Sequence, residues 1–248
     1  MKNDSQRLTR KDFIQKTSKS LSQGIAAPLV SPVFRLLWIG NFLSNLGTMM
    51  HAVAAAWLMT SLTTSPLLIG LVQTAFNLPV LLIGIPCGVF ADLFDRRRLL
   101  IIAQCWMIVF ALLTALMAGL GKISPYSLLA FIFSLGIGAA LHFPTWLALL
   151  QNLVMEEHVP AAVSLNSMAF NLARTLGPAL GGFLVHLLGA PLIFLANGLS
   201  FIAVLLGLLR VPVNCLPEMV EKQRTLHHFF RSLLEMGTFV IASRRLVG

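Results

Sequence analysis

The chain has 248 residues, of which 57% are hydrophobic and only 11% charged, against roughly 25% charged in an ordinary soluble domain. So few charges cannot coat a water-facing surface of this size, and a mean hydropathy of +0.84 excludes a soluble enzyme. The net charge of +9 does not mark a nucleic-acid binder either, because the basic residues flank apolar spans and suit the anionic inner face of a membrane. Cys87, Cys105 and Cys215 are far apart, with neither metal-ligand spacing nor the pattern of a disulfide framework. The composition is that of an all-α integral membrane protein.

A helix needs about 20 mostly apolar residues to cross a bilayer. Residues 1–35 are basic, polar and without an apolar core, so they form a cytoplasmic segment and not a signal peptide. No charged residue occurs between Arg35 and Asp92, room for two helices over 36–60 and 67–91, broken by the Ser/Thr/Pro cluster near Pro66. Further spans are expected over 99–121, 126–150, 162–187 and 191–209, the fifth interrupted by Arg174 and joined to the sixth through Gly189 and Pro191. Residues 210–248 change character: Pro212 and Pro217 make a linker, and Leu226, Phe229, Phe230, Leu233, Leu234, Val240 and Ile241 fall on one helical face. That stretch reads as an amphipathic helix, lying on the membrane surface or packed on loops of the same protein.

The basic residues set the orientation. Of 18 Lys and Arg, sixteen fall before the first span, in the second-to-third loop or after the sixth. Lys122 alone lies in an opposite-side loop. This asymmetry predicts a multi-pass inner-membrane protein with both termini cytoplasmic.

Polar residues inside spans are costly and mark cavities or helix contacts. Asn41, Ser44, Asn45 and Thr48 form one stripe at helical spacing, with His51 further along the same span. Gln73 and Asn77 are one turn apart in the second span. Ser134, Gly138, His142 and Thr145 share a face of the fourth, and Ser167, Asn171, Arg174 and Pro178 share a face of the fifth. A substrate pathway over Asn41, Asn45, Thr48, Gln73, Asn77, His142, Asn171 and Arg174 is one reading, and hydrogen bonding between neighbouring helices is the other. Arg174 is the single Lys or Arg inside a span, and no Asp or Glu lies inside any span. It is expected to meet an anionic substrate group or an acid from outside this chain.

Two local patterns carry a resemblance. The second-to-third loop places Gly88 and Asp92 one turn apart, followed by Arg96, Arg97 and Arg98. The fifth span contains Gly177-Pro178-Ala179-Leu180-Gly181-Gly182, a proline beside a small-xxx-small face. Gly88, Asp92, Arg96 and Arg97 resemble motif A of the major facilitator superfamily, although Leu93 and Asp95 depart from its pattern. Gly177, Pro178, Gly181 and Gly182 resemble motif C of the proton-coupled exporters of that superfamily, with Ser164 and Ala173 standing where glycines are usual. The run from Asn171 to Pro178 is similar to the enterobactin-exporter-like branch.

The resemblance implies one six-helix half of a twelve-helix fold, since twelve spans need roughly 350–400 residues. It further implies a secondary active transporter that exports a small organic molecule, such as a siderophore or drug-like compound, driven by the proton gradient and without a bound cofactor or metal. Asp92 would hold a neighbouring helix end, Arg96 and Arg97 would bond across the loop as part of a cytoplasmic gate, and motif C would set a bend. The implied partners are the lipid bilayer, the substrate and a C-terminal half, which is supplied by a longer chain, a second polypeptide or a second copy. The rival expectation is a truncated product that does not transport, or a half that needs a separately encoded partner. A membrane enzyme is disfavoured, since the chain has no HExxH, no GxSxG and no paired carboxylates within spans. A receptor role lacks any attached domain.

Overall fold

The computed structural model describes residues 24–210, without the side chains of Val89, Phe90, Asp92 and Leu93. The basic segment before residue 24, and the linker and amphipathic helix expected beyond Arg210, lie outside the described residues. A short 3-10 turn, Ala27–Val30, leads into six α-helices: α1 (Pro32–Leu62), α2 (Pro66–Leu93), α3 (Arg96–Gly119), α4 (Pro125–Asn152), α5 (Val159–Leu188) and α6 (Ala190–Leu209). No strand occurs among the described residues.

Local chemistry sets the boundaries. Ser31 caps α1 by accepting from Phe34 N–H, and Pro32 takes a first-turn position that needs no donor. Asp95 starts α3 by accepting from the N–H groups of Arg97 and Arg98. Ser124 and Ser127 form a reciprocal capping box at the start of α4. Between α5 and α6 the chain reverses at Gly189, whose φ of 77° is open to glycine and strained for other residues.

Five of the six helices are long and apolar enough to cross a membrane. The exception is α5, which has 30 residues but carries Ser164, Ser167, Asn171, Arg174 and Thr175 on exposed positions. Large apolar side chains project outward from all six helices, among them Trp57, Leu81, Val109, Phe133, Phe183 and Leu206. A surface of that kind belongs in lipid and not in water.

Packing follows the order α5, α1, α6, α3, α4, α2, so that α2 and α5 end an arc while α1 and α4 stand side by side within it with little direct contact. Lipid tails supply no hydrophobic drive between helices, and close approach at small residues takes its place. Each of the five extensive contacts contains such a residue. A Cβ on Gly136 would strike the Phe76 carbonyl where α2 meets α4, and one on Gly138 would strike Met107 where α3 meets α4. Gly198 lies against Leu112 between α3 and α6, Gly47 against Asn197 between α1 and α6, and Gly177 against Met49 between α1 and α5.

Candidate functional site

At one end of the bundle α2, α4 and α6 finish and α3 begins. The last turns of those three helices carry the negative end of the helix dipole. The arginines after Asp95 supply donors. Arg96 donates from Nη1 to the Ala148 carbonyl of α4 at 2.9 Å and from Nε to the Ala91 carbonyl of α2 at 3.4 Å. Arg97 donates to the Leu208 and Leu209 carbonyls of α6 at 3.2 and 2.9 Å. Arg98 is 84% exposed and, among the described residues, pairs with its neighbour Asp95 at 3.5 Å.

Arg96 thus reaches back across the loop to α2 as well as to α4, and Arg97 reaches α6. Both residues tie the start of α3 to the ends of α2, α4 and α6, where the dipole favours a cation. Asp95, which stands where motif A has its second glycine, caps α3. The side chain of Asp92 lies outside the described residues. Gly88 is also less constrained than its motif suggests, since a Cβ there would meet only Pro144 Cβ at 4.0 Å.

Motif C forms the seam between α5 and α1. Ala162, Leu165, Ala169, Ala173, Gly177, Gly181 and Val185 are the buried face of α5, close to a four-residue period. A Cβ on Gly177 would overlap Met49, and one on Gly181 would lie 2.9 Å from Met50 Cα. Gly182 faces open space and Pro178 is exposed. Pro178 has no N–H, so the Arg174 carbonyl one turn earlier loses its helical donor.

The shallow contact between α1 and α4 leaves two adjoining cavities. One, of about 100 Å³, runs between α1, α2 and α4, with Asn45, Thr48, Gln73 and Asn77 among its polar lining. The other, of about 270 Å³, lies between α1, α4 and α5 and is bordered by Asn45, His142, Asn166 and Phe170. Asn45, His142 and Phe143 belong to both. Two of these side chains satisfy donors on the preceding turn of their own helix. Thr48 donates to the Ser44 carbonyl and Asn77 to the Gln73 carbonyl, each at 2.9 Å.

Asn41 and His142 serve chiefly to join helices. They are 2% and 6% exposed and belong to a chain of hydrogen bonds through four helices. Gln104 Nε2 of α3 lies 3.2 Å from His142 Nδ1 of α4, and His142 Nε2 lies 3.3 Å from Asn41 Oδ1 of α1. Asn41 Nδ2 donates to Asn166 Oδ1 of α5 at 3.4 Å, and Trp146 Nε1 donates to the same oxygen at 2.9 Å. With the Gln104 amide donating, the proton of a neutral His142 sits on Nε2.

The face shared by Ser134, Gly138, His142 and Thr145 is turned largely toward α3, where Trp106 Nε1 donates to the Ser134 carbonyl at 2.7 Å. Asn171 and Arg174 border neither cavity. Both lie on the exposed face of α5, and Asn171 donates back to the Ser167 carbonyl at 2.9 Å. Arg174 makes no hydrogen bond or ion pair among the described residues. The arrangement thus offers a neutral, hydrogen-bonding cavity beside one exposed guanidinium, with no group of three or more metal-ligating side chains among the described residues.

Sequence reasoning passed over Gln104, Asn166 and Asn197. Asn197, 1% exposed, places Nδ2 3.3 Å from His51 Nδ1. The available signal was the cost of a lone amide in an otherwise apolar span.

Comparison with known proteins places residues 23–246 within the model of one family, described as transmembrane secretion effector. The chain is 31% identical to a staphyloferrin A transporter of Staphylococcus aureus over 186 residues, which is 74% of this chain and 45% of the relative. It is 27% identical to the enterobactin exporter EntS of Shigella flexneri, over 88% of this chain and 52% of that protein. A third relative, the uncharacterized MFS-type transporter YfiS of Bacillus subtilis, is 29% identical over 68% of this chain and 41% of its own length. The chain spans about half the length of these relatives. No solved structure matches it at a significant level.

Proposed function

Because the chain belongs to the transmembrane secretion effector family of major facilitator transporters, we propose that it forms the N-terminal six-helix half of a proton-driven exporter of a small organic molecule. The observation that carries this reading is the pair of adjoining cavities between α1, α2, α4 and α5, largely apolar but set with Asn45, Thr48, Gln73 and Asn77, and opened by the thin contact between α1 and α4. In alternating access, two halves rock around a site near the bilayer midplane, so a half must present such a concave polar face to its partner. A second six-helix half would close over these cavities and meet α2 and α5 at the two ends of the arc.

The cargo follows from the relatives and from Arg174. A siderophore transporter and a siderophore exporter stand among the relatives, and an exposed guanidinium suits a carboxylate or other anionic group on a cargo. Arg96 and Arg97, holding the ends of α2, α4 and α6 together, act as a cytoplasmic latch that must loosen when the halves tilt. Arg35, the Arg96 to Arg98 cluster and Arg210 at that end support a cytoplasmic orientation of both termini in the inner membrane, opposite Lys122.

The test is efflux of enterobactin and of staphyloferrin A from cells that express the chain together with its second half. Efflux above an empty-vector control, abolished by a protonophore, is the expected result. Efflux equal to the control for both compounds removes the reading, and efflux indifferent to the protonophore removes proton coupling.

A further inference from the structure

The larger cavity, between α1, α4 and α5, is bordered by amide groups that the folded chain leaves unused. Asn166 Oδ1 already accepts twice, from Asn41 Nδ2 at 3.4 Å and from Trp146 Nε1 at 2.9 Å. Those bonds fix the amide, and its Nδ2 donates to nothing among the described residues. Asn45, one helical turn beyond Asn41, has no side-chain hydrogen bond among those residues from either its oxygen or its nitrogen. Neither amide is sealed from its surroundings. The buried, unpartnered side-chain atoms among the described residues belong to Trp38, His51, Gln104 and Asn152. Asn45 and Asn166 are half-buried, and both border this cavity. Four residues of helix rise about 6 Å, so Asn45 stands about that far along α1 from the residue that bonds Asn166. An occupant the size of one ring spans that distance. Phe143 of α4 and Phe170 of α5 border the cavity too, edge to face, with centroids 6.3 Å apart and planes 89° apart.

We propose that this cavity is a subsite for an uncharged aromatic ring bearing a hydroxyl group, bonded by Asn45 and Asn166 and packed on Phe143 and Phe170. The phenyl rings favour an aromatic occupant over a saturated one through offset and edge contacts. The unused amide atoms are Nδ2 of each asparagine and Oδ1 of Asn45. They suit a phenolic hydroxyl, which both accepts and donates. No Lys, Arg, Asp or Glu borders the cavity, so an ion there would lose hydration without gaining a counter-charge. The volume of about 270 Å³ exceeds the ~150 Å³ cavity that holds benzene, which leaves room for one substituted ring. The subsite deepens the exporter reading and rests on it only for naming the ring as part of a cargo. Arg174, outside this cavity, takes an anionic portion of the same cargo.

The full chain, labelled with ¹⁵N-asparagine and reconstituted in lipid nanodiscs, is titrated with phenol, with toluene, which lacks the hydroxyl, and with cyclohexanol, which lacks the aromatic face. The expected result is a saturable shift of the Asn45 and Asn166 side-chain amide resonances with phenol. Toluene should bind about fivefold more weakly or worse, the loss of one hydrogen bond, and cyclohexanol at least about twofold more weakly. Asn45→Ala, read on the Asn166 resonance, should weaken phenol by about fivefold and leave toluene unchanged. Leu147→Trp, which fills the cavity from α4, should abolish the phenol shift. Where that variant disturbs the remaining asparagine resonances, Phe170→Ala takes its place and should weaken phenol and toluene alike. A phenol response that rises without saturating, as partition into the bilayer gives, overturns the subsite. So does equal affinity for phenol and either of the other compounds, or phenol binding unchanged by these substitutions. A phenol response in a chain that exports nothing removes the exporter reading alone, and export without that response removes the subsite alone.

Discussion

A methyl group added at Gly181 tests whether motif C is a packing seam. It would lie 2.9 Å from Met50 Cα and 3.2 Å from the Met50 carbonyl oxygen. Both atoms are backbone, so no rotamer change relieves them. Ordinary contact begins near 3.4 Å, and α5 has to withdraw from α1 by about half an ångström. Overpacking of this kind costs about 1–3 kcal/mol, against a gain of about 0.5–1 kcal/mol from replacing glycine in a helix. The expected net loss for Gly181→Ala is about 1–2 kcal/mol. At Gly182 the same methyl meets nothing within 4 Å, so Gly182→Ala keeps the helix gain and is neutral or slightly stabilising. Reversible unfolding in mixed micelles, followed by tryptophan fluorescence, measures both. Wild-type stability in Gly181→Ala, or equal losses at the two positions, would refute the seam.

Gln104→Ala removes the donor facing His142 Nδ1 and leaves a buried acceptor unpaired, so the same unfolding assay should register a loss of about 1–3 kcal/mol. Arg97→Ala frees two carbonyls at the end of α6, and should lower stability by about 1 kcal/mol and speed amide exchange in the last turn of that helix. Arg98→Ala, which loses one solvated pair, should change stability by less than about 0.5 kcal/mol. Arg174→Ala should leave stability within about 0.5 kcal/mol while reducing efflux of anionic cargo more than tenfold; equal efflux would remove its role in recognition.

The helical membrane fold was legible because charge-free stretches and flanking arginines are properties of the chain alone. Periodicity also showed that Asn41, Asn45 and Thr48 share one face of α1. It could not name the helix across from that face. The partner of His142 is Gln104, 38 residues away, and that of His51 is Asn197, 146 residues away, contacts set by the order of helices around the arc. The arginine latch was hidden for the same reason, since Arg97 reaches carbonyls 111 and 112 residues further along. Gly136, which seats α2 on α4, belongs to no motif. Its close approach to the Phe76 carbonyl depends on which helix lies opposite, and its own neighbours in sequence do not reveal that. Arg174 and Asn171 illustrate the converse: spacing placed them on one face, but not on the face that borders the cavities.

The central claim is that the polar faces of α1 and α2 line an aqueous pathway while the apolar exposed faces meet lipid. With Cys87, Cys105 and Cys215 replaced by serine, single cysteines at Asn45, Thr48 and Gln73 are compared with cysteines at Leu116 and Leu206, which are 55% and 54% exposed. A membrane-impermeant, water-soluble maleimide is applied to membranes in which the chain is expressed together with the proposed second half. The three polar positions should react and the two leucine positions should not. Equal protection of all five would mean that the polar stripes serve only to pack helices, and the pathway would be lost.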